Sequence, residues 1–422
     1  MSAVPWHLLP DTASVDPDGG LRIGGCDLQA LAAEFGTPLF VYDEAHLRAR
    51  CREAVEVFDG NVAYASKAFL CLAMARLVHE EGMAIDVATG GELYVCLHAG
   101  VPAERLVMHG NNKSPAELRA ATEAGVGRIV VDSFDELDRL DALHREGLPV
   151  PTVLLRITPG VEAHTHEFTA TGQDDSKFGF TVSSGLAAEA VERAAASSAV
   201  DLVGVHVHIG SQVFVADSFG RAVGAIAPAV NEWALPELSM GGGLGVAYVE
   251  GEEAPGITQW GRMLIDACNR HDVNATLHAE PGRAIAAAAA VTLYTVGTVK
   301  DLPGIRTYVS VDGGMSDNPR PVLYGSGYET FLPRAVGADR EGLARVVGKH
   351  CESGDLLVRE AKIPGDLAVG DVLATPVTGA YGHSMGSNYN KVLRPAVVFV
   401  HDGEAREVVR RETYEDLIRL DR

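Results

Sequence analysis

Lys67 stands in Tyr64-Ala65-Ser66-Lys67-Ala68, a lysine among small and apolar neighbours at the end of a β-type run. An amine placed there is a nucleophile for a carbonyl carbon; a lysine snorkelling from a strand end to water would leave the same trace. Gly241-Gly242-Gly243 follow another such run. Successive glycines can turn a row of backbone N–H groups toward a phosphate, although close turn packing asks for the same residues. Glu280 opens Glu280-Pro281-Gly282-Arg283 after the last of these runs. An amine that bonds an aldehyde, a phosphate-holding turn and an acid for a protonated ring nitrogen are what pyridoxal 5'-phosphate requires. The three together weigh more than any one alone.

Other residues admit two readings each. His206 and His208 are two apart, hence on one strand face. With His164 and His166 they suggest a metal, but no carboxylate stands at ligand spacing nearby, so no metal is expected. His208 then stacks on a ring and His206 packs in the core. Asp86, Asp132 and Arg156 fit either a salt-bridge network inside the fold or contacts to the cofactor. Ser66 beside Lys67 lacks the G-x-S-x-G elbow of a serine nucleophile. Of six scattered cysteines without C-x-x-C spacing, only Cys351 is densely flanked by polar residues, in Lys349-His350-Cys351-Glu352-Ser353-Gly354-Asp355. That context suits a working thiol, and the other five read as small buried hydrophobes.

The elements that must position these groups follow from apolar periodicity. β-type runs begin near Asn61, Ala84, Arg105, Arg128, Val153, Leu202, Glu237 and Thr276, with Ala- and Glu-rich helical patterns between them. Strands alternating with helices give a parallel sheet. Eight units of this kind match a (β/α)8 TIM-like barrel of about 250 residues, whose chemistry gathers at the C-terminal strand ends. Those ends carry Lys67, Asp86, His109, Asp132, Arg156, His206 and His208, Gly241–Gly243 and Glu280. An open dinucleotide-binding sheet would need G-x-G-x-x-G after its first strand, and none is there. After about Ala290 the texture changes to β-branched runs at Val291–Val299, Thr307–Val311, Asp371–Thr378 and Ala396–His401. The expectation is a barrel over residues 37–290, with 1–36 and 291–422 forming a mostly antiparallel β-sandwich or β-barrel domain.

The chain has 422 residues, 47% of them apolar, with 35 basic against 57 acidic side chains and a net charge of −22. A large core is ensured and disorder is ruled out. The acidic balance disfavours nucleic acid, which is held by Lys and Arg. No apolar run reaches 18 residues, so no spanning helix and no membrane partner are expected. The first 30 residues lack an apolar signal segment, which reads as a cytoplasmic location.

These motifs resemble the diaminopimelate decarboxylase family, within the alanine-racemase-like, fold-type III pyridoxal-phosphate enzymes. The resemblance runs in family order through Tyr64–Ala68, His206-Val207-His208-Ile209-Gly210-Ser211-Gln212, Gly241–Gly245, Glu280–Arg283, Asp312-Gly313-Gly314-Met315, Cys351–Asp355 and Gly379-Ala380-Tyr381-Gly382. It spans residues 37 to 395, and Arg320-Pro321-Val322-Leu323-Tyr324 with Cys351–Asp355 are its specific parts. Phe69 stands where many relatives have Asn, and Val397 follows Arg394-Pro395-Ala396 where Glu is frequent.

The resemblance implies decarboxylation of meso-2,6-diaminopimelate at its D-centre to L-lysine and CO₂, the last step of lysine biosynthesis. Lys67 would bind pyridoxal 5'-phosphate covalently, with Asp86 and Arg156 in contact with it and His208 stacked on its ring. Glu280 would face the ring nitrogen. Ser211, Gly241, Gly242, Gly243, Gly282, Arg283 and Tyr381 would hold the phosphate. Arg283, Arg320, Tyr324 and Tyr381 would bind substrate, with Glu352 receiving its distal ammonium. Cys351 would reprotonate the α-carbon from the partner subunit of a homodimer with shared active sites. Relatives specific for ornithine or arginine, and racemases, would keep Lys67 and the glycines but not the Arg320 and Tyr324 pair. A non-catalytic carrier of the cofactor would be expected to lose Lys67 or Cys351.

Overall fold

A computed structural model describes residues 4–160, 173–214 and 216–422. His164 and His166 lie outside the described residues. The chain divides into two compact units, one of Arg50–Val246 and Ala254–Ala284, the other of Met1–Ala49, Ala247–Glu253 and Ile285–Arg422.

The first unit is a parallel barrel. Its strands are β1 (Ala63–Ala65), β2 (Ala84–Val87), β3 (Leu106–Met108), β4 (Arg128–Val131), β5 (Thr152–Thr158), β6 (Asp201–His206), β7 (Glu237–Ser239) and β8 (Thr276–His278). They are hydrogen-bonded in sequence order. A parallel bridge from Val62 to Ala279 closes the ring, with Ala63 N–H donating to the Ala279 carbonyl at 2.9 Å. The eight expected runs are these eight strands. The order follows from local signals: each short β-branched or small-residue run is followed by a helix that the sequence caps. Ser114 accepts from Glu117 N–H, and the Glu117 carboxylate accepts from Ser114 N–H at 2.9 Å, starting Pro115–Ala124. Thr89 and Ser133 cap Gly90–His98 and Phe134–Arg145 in the same manner. The Ala-rich stretch Leu186–Ala196 is an outer helix with Ala187, Ala190, Val191 and Ala194 buried. One two-residue strand not anticipated from sequence, Phe180–Thr181, adds parallel to β5.

The second unit is built on an eight-stranded sheet. Its order is Leu356–Ile363, Gly342–Val347, Arg306–Val311, Ala290–Leu302, Leu39–Asp43, Ala396–His401 and Glu404–Val409, with Val372–Pro376 also pairing to Ala290–Leu302. Two of its pairings are parallel and the rest antiparallel. Ala290–Leu302 is buried along its first half and exposed along its second. Its buried half pairs with Leu39–Asp43 and Val372–Pro376, its exposed half with Arg306–Val311. Leu39, Val41, Val291, Leu293, Val398 and Val400 form the core with Leu21, Ile23 and Leu28. Leu39–Asp43, read from sequence as the head of the barrel segment, therefore belongs to this sheet: all five residues are buried, and their partners are Ala290–Leu293 and Ala396–Val400. Among the described residues, no helix is long and apolar enough to cross a membrane.

Candidate active site

In the barrel, the polar residues expected at the strand ends converge. Lys67 sits in a single 3-10 turn, Ser66–Ala68, directly after β1. The turn buries Ser66 and Ala68 and leaves Lys67 exposed, so the expected apolar surround is corrected: the turn projects the amine away from its buried neighbours. Asp86 lies on β2 and is 7% exposed. His109 follows β3, its Nε2 lying 3.4 Å from Asp86 Oδ1 and 3.8 Å from Glu280 Oε1. Burial and the neighbouring Glu280 charge push the Asp86 carboxyl well above its usual range. Burial would raise Glu280 likewise, but His206, His109 and the hydrogen bonds from His206 and Ser239 hold it well below the carboxylate range. Two nearby acids are thus pushed in opposite directions.

His208 is held against the glycine turn: Gly242 N–H donates to its Nδ1 at 3.3 Å. That bond assigns the remaining hydrogen to Nε2, and burial lowers the imidazole's pKa well below the ordinary histidine value. The glycines are needed for packing as well as for their N–H groups. A Cβ on Gly242 would lie 2.2 Å from the Glu280 carbonyl oxygen, and one on Gly243, at φ +104°, 2.3 Å from that of Gly210. Arg283 donates to Ser211 Oγ at 2.9 Å, joining two of the residues expected at the phosphate.

Arg156, on β5, lies 3.8 Å from Asp132 Oδ2 and stacks over Phe178 at 4.2 Å. Asp132 also accepts Gly179 N–H at 2.7 Å, so Asp132 and Arg156 make the network that was one of their two readings. Lys113 is absorbed by structure: its ammonium donates to Glu136 at 2.7 Å and to the carbonyls of Val130 and Gly110.

Sequence reasoning missed the partners of Glu280. His206, assigned to packing, places Nε2 2.9 Å from Glu280 Oε2, and Ser239 donates to Oε1 at 2.6 Å. Ligand atoms of His109, His206 and Glu280 lie within 4.8 Å of one another, so a carboxylate does stand beside the histidines, brought there by the barrel rather than by spacing. Only the position of these residues at strand ends could have signalled them. The chain's donor set fits pyridoxal phosphate: a lysine amine, an ionised acid, a half-buried imidazole and a glycine turn joined by Ser211 and Arg283. Among the described residues, buried Asp86 Oδ1 and His109 Nε2 have no hydrogen-bond partner.

The β unit holds a second cluster. Arg320, 4% exposed, stacks over Tyr248 at 4.1 Å and donates to Tyr328 Oη at 2.7 Å. Neither tyrosine was anticipated; Tyr324 is half-buried on the same short helix, Arg320–Tyr324. Tyr381 has φ +59°, in a turn tied by Tyr42 Oη to the Gly379 carbonyl at 2.8 Å. Cys351 is exposed and unbridged, and its N–H donates to Asn390 at 3.2 Å. Glu352 accepts from Tyr389 Oη. Asp355 fixes this loop by accepting from His350 N–H and Nδ1, each at 2.9 Å, and from Met315 N–H at 2.7 Å.

Beneath it, Asp317 is 2% exposed and accepts from Tyr294 Oη at 2.5 Å and Gly314 N–H at 2.8 Å. Burial pushes its carboxyl up to about 7. The folded protein therefore keeps a proton that the unfolded chain releases above pH ~4, and this group's contribution to stability declines as pH rises from about 4 to about 7. Asp317→Asn is expected to flatten that part of the stability profile, as read by urea unfolding midpoints across pH; an unchanged slope refutes the assignment.

The profile of the pyridoxal binding domain of pyridoxal-dependent decarboxylases matches residues 44–287. The chain is 48% identical to the diaminopimelate decarboxylase of Mycobacterium tuberculosis over 98% of both proteins. It is 46% identical to that of Bacillus subtilis, again over 98% of each. Among solved structures, diaminopimelate decarboxylase from M. jannaschii in co-complex with L-lysine superposes with a TM-score of 0.90 at 33% identity, covering 98% of each chain.

Proposed function

From a chain that belongs to the diaminopimelate decarboxylase family, we infer a pyridoxal-phosphate-dependent carboxy-lyase that converts meso-2,6-diaminopimelate to L-lysine and CO₂, the final step of lysine biosynthesis. The observation that carries the reading is the barrel-mouth set of Lys67, His208, the Gly241–Gly243 turn and Glu280 held between His206 and Ser239. When bound, the cofactor supplies an electron sink for the charge left as CO₂ departs.

The chain's own residues bind and orient. Lys67 Nζ would hold the cofactor covalently through its aldehyde carbon. His208, its Nδ1 fixed by Gly242, presents a ring face for stacking. Glu280 accepts the hydrogen of the ring nitrogen and so favours its protonated form. Ser211, Gly241, Gly242, Gly243, Gly282, Arg283 and Tyr381 hold the phosphate, and Asp86 and Arg156 line the cofactor's surroundings. Arg320, stacked on aromatic rings, offers the distal carboxylate a planar donor, and Arg283, Tyr324 and Tyr381 also bind substrate. Glu352 receives the distal ammonium. Cys351 delivers a proton to the α-carbon from the partner subunit of a homodimer, so that each two-fold pair makes two shared sites.

A substrate panel tests this. Purified protein is expected to release CO₂ from meso-diaminopimelate and not from ornithine or arginine. A buried guanidinium left without its carboxylate rejects those substrates more strongly than a difference in chain length does. Preferential release from ornithine would overturn the assignment.

A further inference from the structure

Glu280 follows β8, while its two hydrogen-bond donors end the two preceding strands. His206 is the last residue of β6 and Ser239 the last of β7, and the two are direct partners in the parallel register. Ser239 Oγ accepts Gly241 N–H at 3.2 Å, and its single proton is directed to Glu280 Oε1 at 2.6 Å. An ionised carboxylate only accepts, so His206 Nε2, 2.9 Å from Oε2, carries hydrogen and donates it. Both donors are 1% exposed. His206 Nδ1 is buried without a hydrogen-bond partner among the described residues, so the Nε2 contact to Glu280 is the ring's one hydrogen bond there.

We propose that His206 and Ser239 are positioning residues, a pair of donors fixed side by side by sheet register that holds Glu280 as an acceptor for the ring nitrogen of bound pyridoxal phosphate. The proposal rests on the functional reading above, and on Glu280 as the residue facing that nitrogen. Two donors occupy two of the roughly four acceptor sites of a carboxylate and leave capacity for a third. Donors carried on strands are held more closely than donors on loops. Without His206, the buried carboxyl is favoured in its protonated form, and a carboxylic acid donates to the ring nitrogen instead of accepting from it.

The test uses the whole enzyme loaded with 15N-labelled pyridoxal phosphate and reads the nitrogen's chemical shift. The wild type is expected to show a protonated nitrogen, His206→Leu a shift toward the unprotonated form, and His206→Gln, whose amide can still donate, a return toward wild type. Ser239→Ala is expected to move the signal the same way by less, and decides the matter if His206→Leu does not fold. Loss of one hydrogen bond to a charged group corresponds to a fall in kcat of roughly 10- to 100-fold, with KM nearly unchanged. A nitrogen that stays protonated in both His206→Leu and Ser239→Ala, or that is unprotonated in the wild type, overturns the proposal. Failure of the functional reading looks different: the wild type itself would bind no cofactor or release no CO₂ from diaminopimelate.

Discussion

Lys67→Ala is expected to lose the visible absorbance band of the lysine-bound cofactor and to lower kcat by at least about 10²- to 10⁴-fold, the range spanned by a positioned proton-transferring group. The variant should fold. Lys67 is exposed in its 3-10 turn, while the buried Ser66 and Ala68 anchor that turn whether or not residue 67 carries an amine. Circular dichroism should therefore match the wild type while the band is gone. Lys67→Arg keeps the charge but not the nucleophile, since a guanidinium stays protonated, and it should fail in the same way. A band that survives in Lys67→Ala would remove this lysine from the mechanism.

Cys351→Ala is expected to lower kcat by roughly 10²- to 10⁴-fold with little change in KM, because the thiol is assigned a proton transfer and no substrate charge. Its loop is fixed by main-chain and carboxylate bonds, Cys351 N–H to Asn390 and Asp355 to His350 and Met315, none of which uses the sulfur. The decisive arm is a mixture. If Cys351 serves the partner's Lys67, dimers of Lys67→Ala with Cys351→Ala contain one native site of two. Random exchange at equal amounts makes about half of the dimers mixed, so activity should return to about a quarter of wild type from two dead parents. No recovery after verified subunit exchange would mean that Lys67 and Cys351 act within one chain.

The barrel was legible because each strand start is marked locally: eight short apolar runs, the first five at nearly even intervals, with Ser114-Pro115-Ala116-Glu117 and similar caps between them. The gathering of Lys67, Asp86, His208 and Glu280 at strand ends was legible because the strand runs themselves were, and a barrel's chemistry gathers at those ends. The β unit was less so. Val291–Val299 and Ala396–His401 stood out, but Leu39–Asp43 was assigned to the wrong neighbour, because a buried five-residue run carries no mark of its sheet. Gly342–Val347, Leu356–Ile363 and Glu404–Val409 are interrupted by charged residues and were not singled out as strands.

Residue types and spacing by themselves determined the fold class, the lysine, the glycine turn and the acid, and through them the cofactor. Tertiary structure alone decided which residues hydrogen-bond Glu280 and which stack against Arg320. His206 is 74 residues from Glu280 and Ser239 is 41, while Tyr328 is eight from Arg320 and Tyr248 is in another segment altogether. Periodicity acts over a few residues and specifies elements. Which side chains meet depends on strand register and barrel closure, which bring distant residues within 3 Å without leaving any trace in local sequence.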